Sequence, residues 1–258
     1  MSIQANDLSF CYGTHSVLKG VCFDVKSGQL VSVLGPNGVG KSTLFRCILG
    51  LLPGYSGSIC IDHEEVKNLS PRLLAHKIAY IPQSHGQSFN YTVFEMVLMG
   101  TTHLLGPFSS PKRPQEEYAM YALNQLGIAP LAQKSFCCLS GGEQQLVLIA
   151  RALAQQATTL LMDEPTASLD YGNQQRVLEQ VKQLSLEGYT ILLSTHNPQH
   201  ALFYSDAILA LYNGGVAAFG APDEVIDVKL IKLLYNMNVQ FVEANGTRLI
   251  TPVEKGVC

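Results

Sequence analysis

The stretch that most restricts how this chain can fold is Gly35-Pro36-Asn37-Gly38-Val39-Gly40-Lys41-Ser42, which fits the pattern G-x-x-x-x-G-K-[ST]. An apolar run over 29–35 leads into it, and 41–52 follows with Leu44, Cys47, Ile48 and Leu51 at helical spacing. Strand, glycine loop and helix in that order place a ring of inward-turning backbone N–H groups at the positive end of a helix. Such a cradle suits the phosphates of a nucleoside triphosphate. Lys41 is expected to reach the β- and γ-phosphates, with Thr43 next along the helix. The Ser42 hydroxyl is expected to ligate Mg²⁺, a hard ion that prefers oxygen.

The rest of the chain fits an α/β fold around this loop. Runs over 3–12 and 17–25 read as an antiparallel hairpin that opens the chain. Further strands are expected at 59–61 and 77–81, with a helix over 71–76. From 92 to 154 the pattern turns helical, broken over 106–114 by prolines, glycine and serine. Alternation then resumes: strands at 159–163, 190–195 and 207–211, helices at 173–186 and 198–204, hence a parallel sheet. A last hairpin over 239–251 turns at Asn245-Gly246. The reading is a single domain over 1–258, with a helical subdomain inserted at about 85–154 and a short appendage from about 221 to 258.

Composition narrows the partners. A net charge of -3, with Lys and Arg spread along the chain, leaves no basic patch for a duplex, so no nucleic-acid partner is expected. Seven cysteines without a C-x-x-C pair read as buried thiols in a reducing cytosol. The first residues show no basic segment leading into an apolar one, and apolar runs such as 159–162 fall short of the roughly 20 residues of a membrane helix. Any membrane role is therefore expected to come from a partner chain.

Two further elements carry chemistry. In Thr159-Leu160-Leu161-Met162-Asp163-Glu164-Pro165 an apolar strand ends in two carboxylates. Asp163 is suited to hold Mg²⁺ through water, and Glu164 to polarise an attacking water as general base. In Leu139-Ser140-Gly141-Gly142-Glu143-Gln144 a second phosphate-seeking helix start precedes a stripe of Leu146, Ile149, Ala150 and Leu153.

With these three motifs in one chain, the sequence resembles the ATP-binding-cassette (ABC) ATPases, whose signature is the Ser140-Gly141-Gly142 segment. The resemblance spans essentially the whole chain. It implies a P-loop NTPase with a RecA-like parallel core, an N-terminal antiparallel β layer and an inserted helical subdomain. It implies ATP as the nucleotide, Mg²⁺ as its metal, and a head-to-tail pair of chains in which each signature faces the partner's phosphate loop. Tyr12 matches the aromatic that stacks on adenine, and Gln83 the glutamine that contacts Mg²⁺ and water. Ser168-Leu169-Asp170 looks like the loop that crosses the dimer, with Asp170 at the nucleotide, and His196 like the switch histidine at the γ-phosphate. Glu143 stands where glutamine is commoner and Asn197 where aspartate is frequent.

Softer likenesses, in Val97-Leu98-Met99-Gly100, Ile149-Ala150-Arg151-Ala152-Leu153-Ala154-Gln155, Leu234-Tyr235 and Pro252, are to ATPases of importers for iron-siderophore, haem, cobalamin and related metal-chelates. They imply polytopic permease subunits, an extracytoplasmic binding protein and a place on the cytoplasmic face of the membrane. An exporter ATPase, or a non-transport clamp in translation, DNA repair or cofactor assembly, are the alternatives.

Overall fold

The computed structural model describes residues 2–83, 90–106, 109–244 and 246–253. The expected start of the helical subdomain at 85–89, part of the proline-containing loop (107–108), and Asn245 of the last turn lie outside the described residues.

The chain opens with β1 (Ile3–Tyr12) and β2 (His15–Val25), antiparallel to each other. With β4 (Ser56–Ile61) and β5 (Glu64–Glu65) they form a four-stranded sheet of order β2-β1-β4-β5. The larger sheet holds β3 (Leu30–Leu34), β6 (Ile78–Ile81), β7 (Thr159–Asp163), β8 (Thr190–Thr195), β9 (Ala207–Tyr212) and β10 (Gly215–Gly220). Its order is β10-β9-β3-β8-β7-β6, parallel except for the β9–β10 pair.

Successive residues of a strand point to opposite faces, so a strand covered on both sides is largely apolar, and its few polar residues need partners. Both β3 and β7 are buried along their whole length. Leu160 and Met162 join one core with the helices α3 (Val93–Leu98), α4 (Arg113–Gln125), α5 (Gly141–Ala154) and α6 (Tyr171–Leu186). Leu161, between them, joins the other core with α1 (Lys41–Ile48) and the antiparallel layer. The helix α2 (Pro71–Lys77) leads directly into β6.

A third core lies over the β3 and β9 end of the sheet, where Leu34, Ile208 and Ala210 meet α7 (Pro198–Tyr204), α8 (Pro222–Val225) and α9 (Val228–Tyr235). The hairpin of β11 (Val239–Ala244) and β12 (Thr247–Pro252) completes it. Gln199 on α7 fastens that hairpin: its Oε1 accepts from Ile250 N–H at 2.8 Å and its Nε2 donates to Arg248 O at 3.2 Å.

The structure departs from expectation at several places. The cysteines read as buried, but Cys11, Cys22, Cys137 and Cys138 are exposed, because they lie on outward faces of strands or in a surface turn, and Cys47 is buried. The helix expected over 41–52 stops at Ile48, closed by hydrogen bonds from Gly50 N–H to Cys47 O and from Leu51 N–H to Arg46 O, and Leu51 is exposed rather than part of the buried stripe. The segment 215–235, left unassigned by periodicity, supplies β10, α8 and α9. Its first part, Gly-Val-Ala-Ala-Phe-Gly, is too small and too little buried to show alternation, and only pairing with β9 makes it a strand.

Candidate nucleotide site and family

The loop after β3 turns into α1 through Gly40, whose φ of 113° is a conformation that L side chains rarely adopt. This turn aims the first N–H groups of α1 into a cleft of about 400 Å³. Asn37, Gly38 and Gly40 to Thr43 of the loop and helix start, with Val17, Gln83, Asp163 and Glu164, wall that cleft. Residues far apart in sequence converge there because β3 and β7 flank β8, and β6 lies next to β7. All four are parallel, so their carboxyl ends open on one edge, where ligands of such sheets bind.

Lys41 is nearly buried at 5% exposure, and its ammonium has three partners. It donates to Gly35 O at 2.8 Å and to Pro36 O at 3.2 Å, and pairs with Glu164 Oε1 at 3.2 Å. Glu164 Oε2 lies 3.2 Å from His196 Nδ1. That contact needs the ring proton on Nδ1, since an ionised carboxylate has none to give.

Glu164 itself sits at φ 45°, an uncommon backbone conformation for a residue with a side chain. Ser194 holds it there. The Ser194 hydroxyl accepts from Glu164 N–H at 2.9 Å and donates to Asp163 Oδ1 at 2.6 Å, so one buried serine ties the Asp163 carboxylate to the backbone of Glu164. Tyr80 donates to Asp163 Oδ2 at 3.3 Å, and burial followed by the Asp163 charge pushes its phenol up to about 12. Neither Ser194 nor Tyr80 was found from the sequence. The available signal was a hydroxyl pair, Ser194 and Thr195, ending an otherwise apolar run.

The other expected residues stand elsewhere. Tyr12 ends β1 with its ring 45% exposed and edge-on to Phe10, at 4.9 Å between centroids, and does not line the cleft. Ser140, Gly141, Gly142 and Asp170 do not line it either. They meet one another instead: Gly141 lies against Leu169, and Gly142 against Asn173, which Asp170 holds by accepting from its backbone N–H at 2.9 Å and its Nδ2 at 2.7 Å.

Both sequence departures turn out to be helix caps. Glu143 Oε2 accepts from Ser140 N–H at 2.9 Å while Ser140 Oγ accepts from Glu143 N–H at 3.3 Å, a capping box that starts α5. Hydrogen bonds from the Ser140 backbone and hydroxyl hold the Glu143 carboxyl below its ordinary range. Asn197 Oδ1 accepts from Gln199 and His200 N–H to start α7, a bond that aspartate makes equally well.

Among known proteins, the ABC transporter family model matches residues 18–167. An uncharacterised ABC transporter ATP-binding protein of Haemophilus influenzae is 44% identical over 211 residues, 82% of this chain and 80% of that protein. The hemin import ATP-binding protein HmuV of Thermobifida fusca is 35% identical over 255 residues, 97% of this chain and 88% of that one. In three dimensions the chain superposes with a TM-score of 0.87 and 29% identity on a chain of a structure described as a metal-chelate type ABC transporter in an inward-facing conformation, covering 100% of this chain and 99% of that one. A phosphate loop, two adjacent carboxylates and a histidine on one sheet edge, within a fold shared over its whole length, make this chain a member of the ABC transporter family, an ATP-binding subunit whose ATPase activity is coupled to transport.

Proposed function

We propose that this chain drives the import of a metal-chelate, such as an iron-siderophore, haem or cobalamin, as a head-to-tail dimer on the cytoplasmic face of the membrane. The observation that carries the reading is the extent of the likeness to a hemin import ATPase, which takes in 97% of the chain and so includes the C-terminal appendage as well as the motifs. Among the described residues no helix is long and apolar enough to cross a membrane, so passage of the cargo falls to permease subunits, fed by an extracytoplasmic binding protein.

In this reading the chain is one domain. Its helical insertion over about 85–154 meets the permease, and its appendage begins near 221. Loop residues 35–43 hold the ATP phosphates, with Lys41 as their cation, and Tyr12 stacks on adenine. Ser42, Gln83 and Asp163 offer only oxygen as metal donors, a set that fits Mg²⁺, and Asp163 keeps lone pairs beyond those used by Ser194 and Tyr80. The metal, when bound, neutralises phosphate charge. Glu164 takes the proton of the attacking water, His196 bonds the γ-phosphate, and Gln83 orients the water. Ser140, Gly141, Gly142 and Asp170 serve the nucleotide on the partner chain, consistent with their place outside this chain's own cleft.

The test is reconstitution in vesicles with a candidate metal-chelate permease and its binding protein. ATP-dependent accumulation of a ferric or cobalt chelate supports the proposal. ATP-dependent efflux, or hydrolysis indifferent to permease and chelate, would overturn it.

A further inference from the structure

The nucleotide residues stand at the carboxyl ends of β7 and β8, and a second cavity, of about 330 Å³, lies at the opposite, amino ends of the same two strands. It shares no lining residue with the nucleotide cleft. Its volume falls in the range of small-molecule sites, roughly 300–1,000 Å³. One wall is α4, through Tyr118 and Tyr121, and a second is the end of α5, through Leu153 and Gln156. The third is the connection from α6 to β8, through Glu187 and Tyr189.

The charge around this cavity has one sign. An α-helix carries negative partial charge at its carboxyl end. Both α5 and α6 end here, at Ala154 and Leu186, and α4 ends at Gln125, whose Nε2 donates to Glu187 Oε2 at 2.6 Å. Neither α4 nor α6 has a basic residue in its last turn. Arg151, in the last turn of α5, reaches instead to α3, with its guanidinium 4.0 Å from Met96 Sδ. Glu187 adds a full negative charge. Its carboxylate accepts from the neutral amides of Gln125 and Gln183, and among the described residues no lysine, arginine or histidine forms an ion pair with it.

The tyrosines supply the other half of the recognition. The face of a tyrosine ring attracts a cation and also packs against an apolar frame. Tyr121 is 69% exposed, so its ring is open to a ligand. We propose that this cavity binds a small organic cation, an ammonium carried on a single flat ring, with the ammonium at Glu187 and the helix ends and the ring against the tyrosines. An anion would meet charge of its own sign. A metal ion would lack ligands, since among the described residues no three histidine, cysteine, aspartate or glutamate side chains gather to hold one. The bound cation joins α4 to the connection between α6 and β8.

The test is fluorine NMR on the full chain labelled with meta-fluorotyrosine, titrated with benzyltrimethylammonium and, as the neutral control, with benzyl alcohol. The resonances of Tyr118, Tyr121 and Tyr189, assigned from Tyr118→Phe, Tyr121→Phe and Tyr189→Phe, should move along one saturable curve with the cation and stay in place with the alcohol. Glu187→Gln keeps an acceptor for Gln125 and removes only the charge, while Tyr121→Ala removes an exposed ring. Each should weaken binding of the cation roughly threefold to tenfold, the scale of one charge or ring contact near a surface. The MgATP-induced thermal shift should match that of the wild type in both variants, which shows that they are folded and that the cavity is separate from the nucleotide cleft.

An equal response to benzyl alcohol would overturn the proposal, since the cavity would then select a ring and not a charge. So would the absence of saturable movement in these three resonances at millimolar cation, or wild-type affinity in both Glu187→Gln and Tyr121→Ala.

Discussion

Lys41 and Glu164 touch each other, ammonium to carboxylate at 3.2 Å, the lysine nearly buried and the glutamate 15% exposed. Each therefore neutralises a charge that would be expensive to bury alone. The pair joins the start of α1 to the end of β7, and His196 extends it to the end of β8. What separates Lys41 from Glu164 therefore also frees the carboxylate for chemistry.

Replacing Glu164 by glutamine keeps the shape and an acceptor for Lys41 but removes the base. Glu164→Gln should bind MgATP and lose hydrolysis by roughly 10²- to 10⁴-fold, as for general-base catalysis elsewhere. Phosphate release in single turnover checks this, and turnover at the wild-type rate would exclude the assignment.

Lys41→Ala deletes the cation facing the phosphates and removes a donor from each of the carbonyls of Gly35 and Pro36. A ligand stabilises the fold in proportion to its affinity for it, so the thermal shift with MgATP should shrink markedly in this variant. An unchanged shift at saturating nucleotide would contradict it.

If each working site combines Lys41 of one chain with Ser140 of the other, a chain lacking Lys41 and one lacking Ser140 form one doubly defective and one intact site when paired. The mixture should recover part of the activity that neither has alone. Cysteines placed at Ser140 and Gly38 in the Glu164→Gln background should crosslink between chains when ATP is added. Cys137 and Cys138 are exposed close to Ser140, so the native cysteines must first be replaced. Crosslinks confined to single chains would defeat the sandwich.

Adding a methyl at Gly142 places a Cβ 2.5 Å from Cγ of Asn173, the residue that Asp170 holds. Gly142→Ala should destabilise the fold by about 1–3 kcal/mol, as overpacking does. It should also loosen the contact between the start of α5 and the 168–170 loop. Urea unfolding measures the first effect, and wild-type stability would show that Asn173 moves aside freely.

Acid should weaken the fold through His103 and His200. Desolvation by burial comes first in lowering both below their ordinary value of 6.5, and neighbouring histidines add to it. The folded state then binds fewer protons than the unfolded one, so stability is lost as pH falls through the unfolded value of 6.5 towards the folded one. Chemical unfolding from pH 7.5 to 5 should show the decline, and His103→Gln should flatten it. The ring of His103 stands 4.6 Å from that of His76, so His76→Gln is the control that separates burial from repulsion.

What the sequence determined by itself is local. The phosphate loop between a strand and a helix, the capped starts of α5 and α6 at Ser140 and Asp170, and the adjacent carboxylates Asp163 and Glu164 all depend on residues a few positions apart. Period and cap chemistry carry that information. β7 and β8 accordingly have the bounds expected of them.

The tertiary structure decided which of these local pieces meet. Parallel strands pair through long crossovers, so nothing local announces that β3 lies between β8 and β9. Only that order brings Ser194 against the Asp163 carboxylate and the Glu164 backbone, and Lys41 against the Glu164 carboxylate, while Ser140 and Asp170 stay outside the cleft. The appendage shows the same limit. Its described apolar residues, such as Val225, Ile231 and Val239, pack on Leu34, Ala201, Ile208 and Ala210, which lie elsewhere in the sequence.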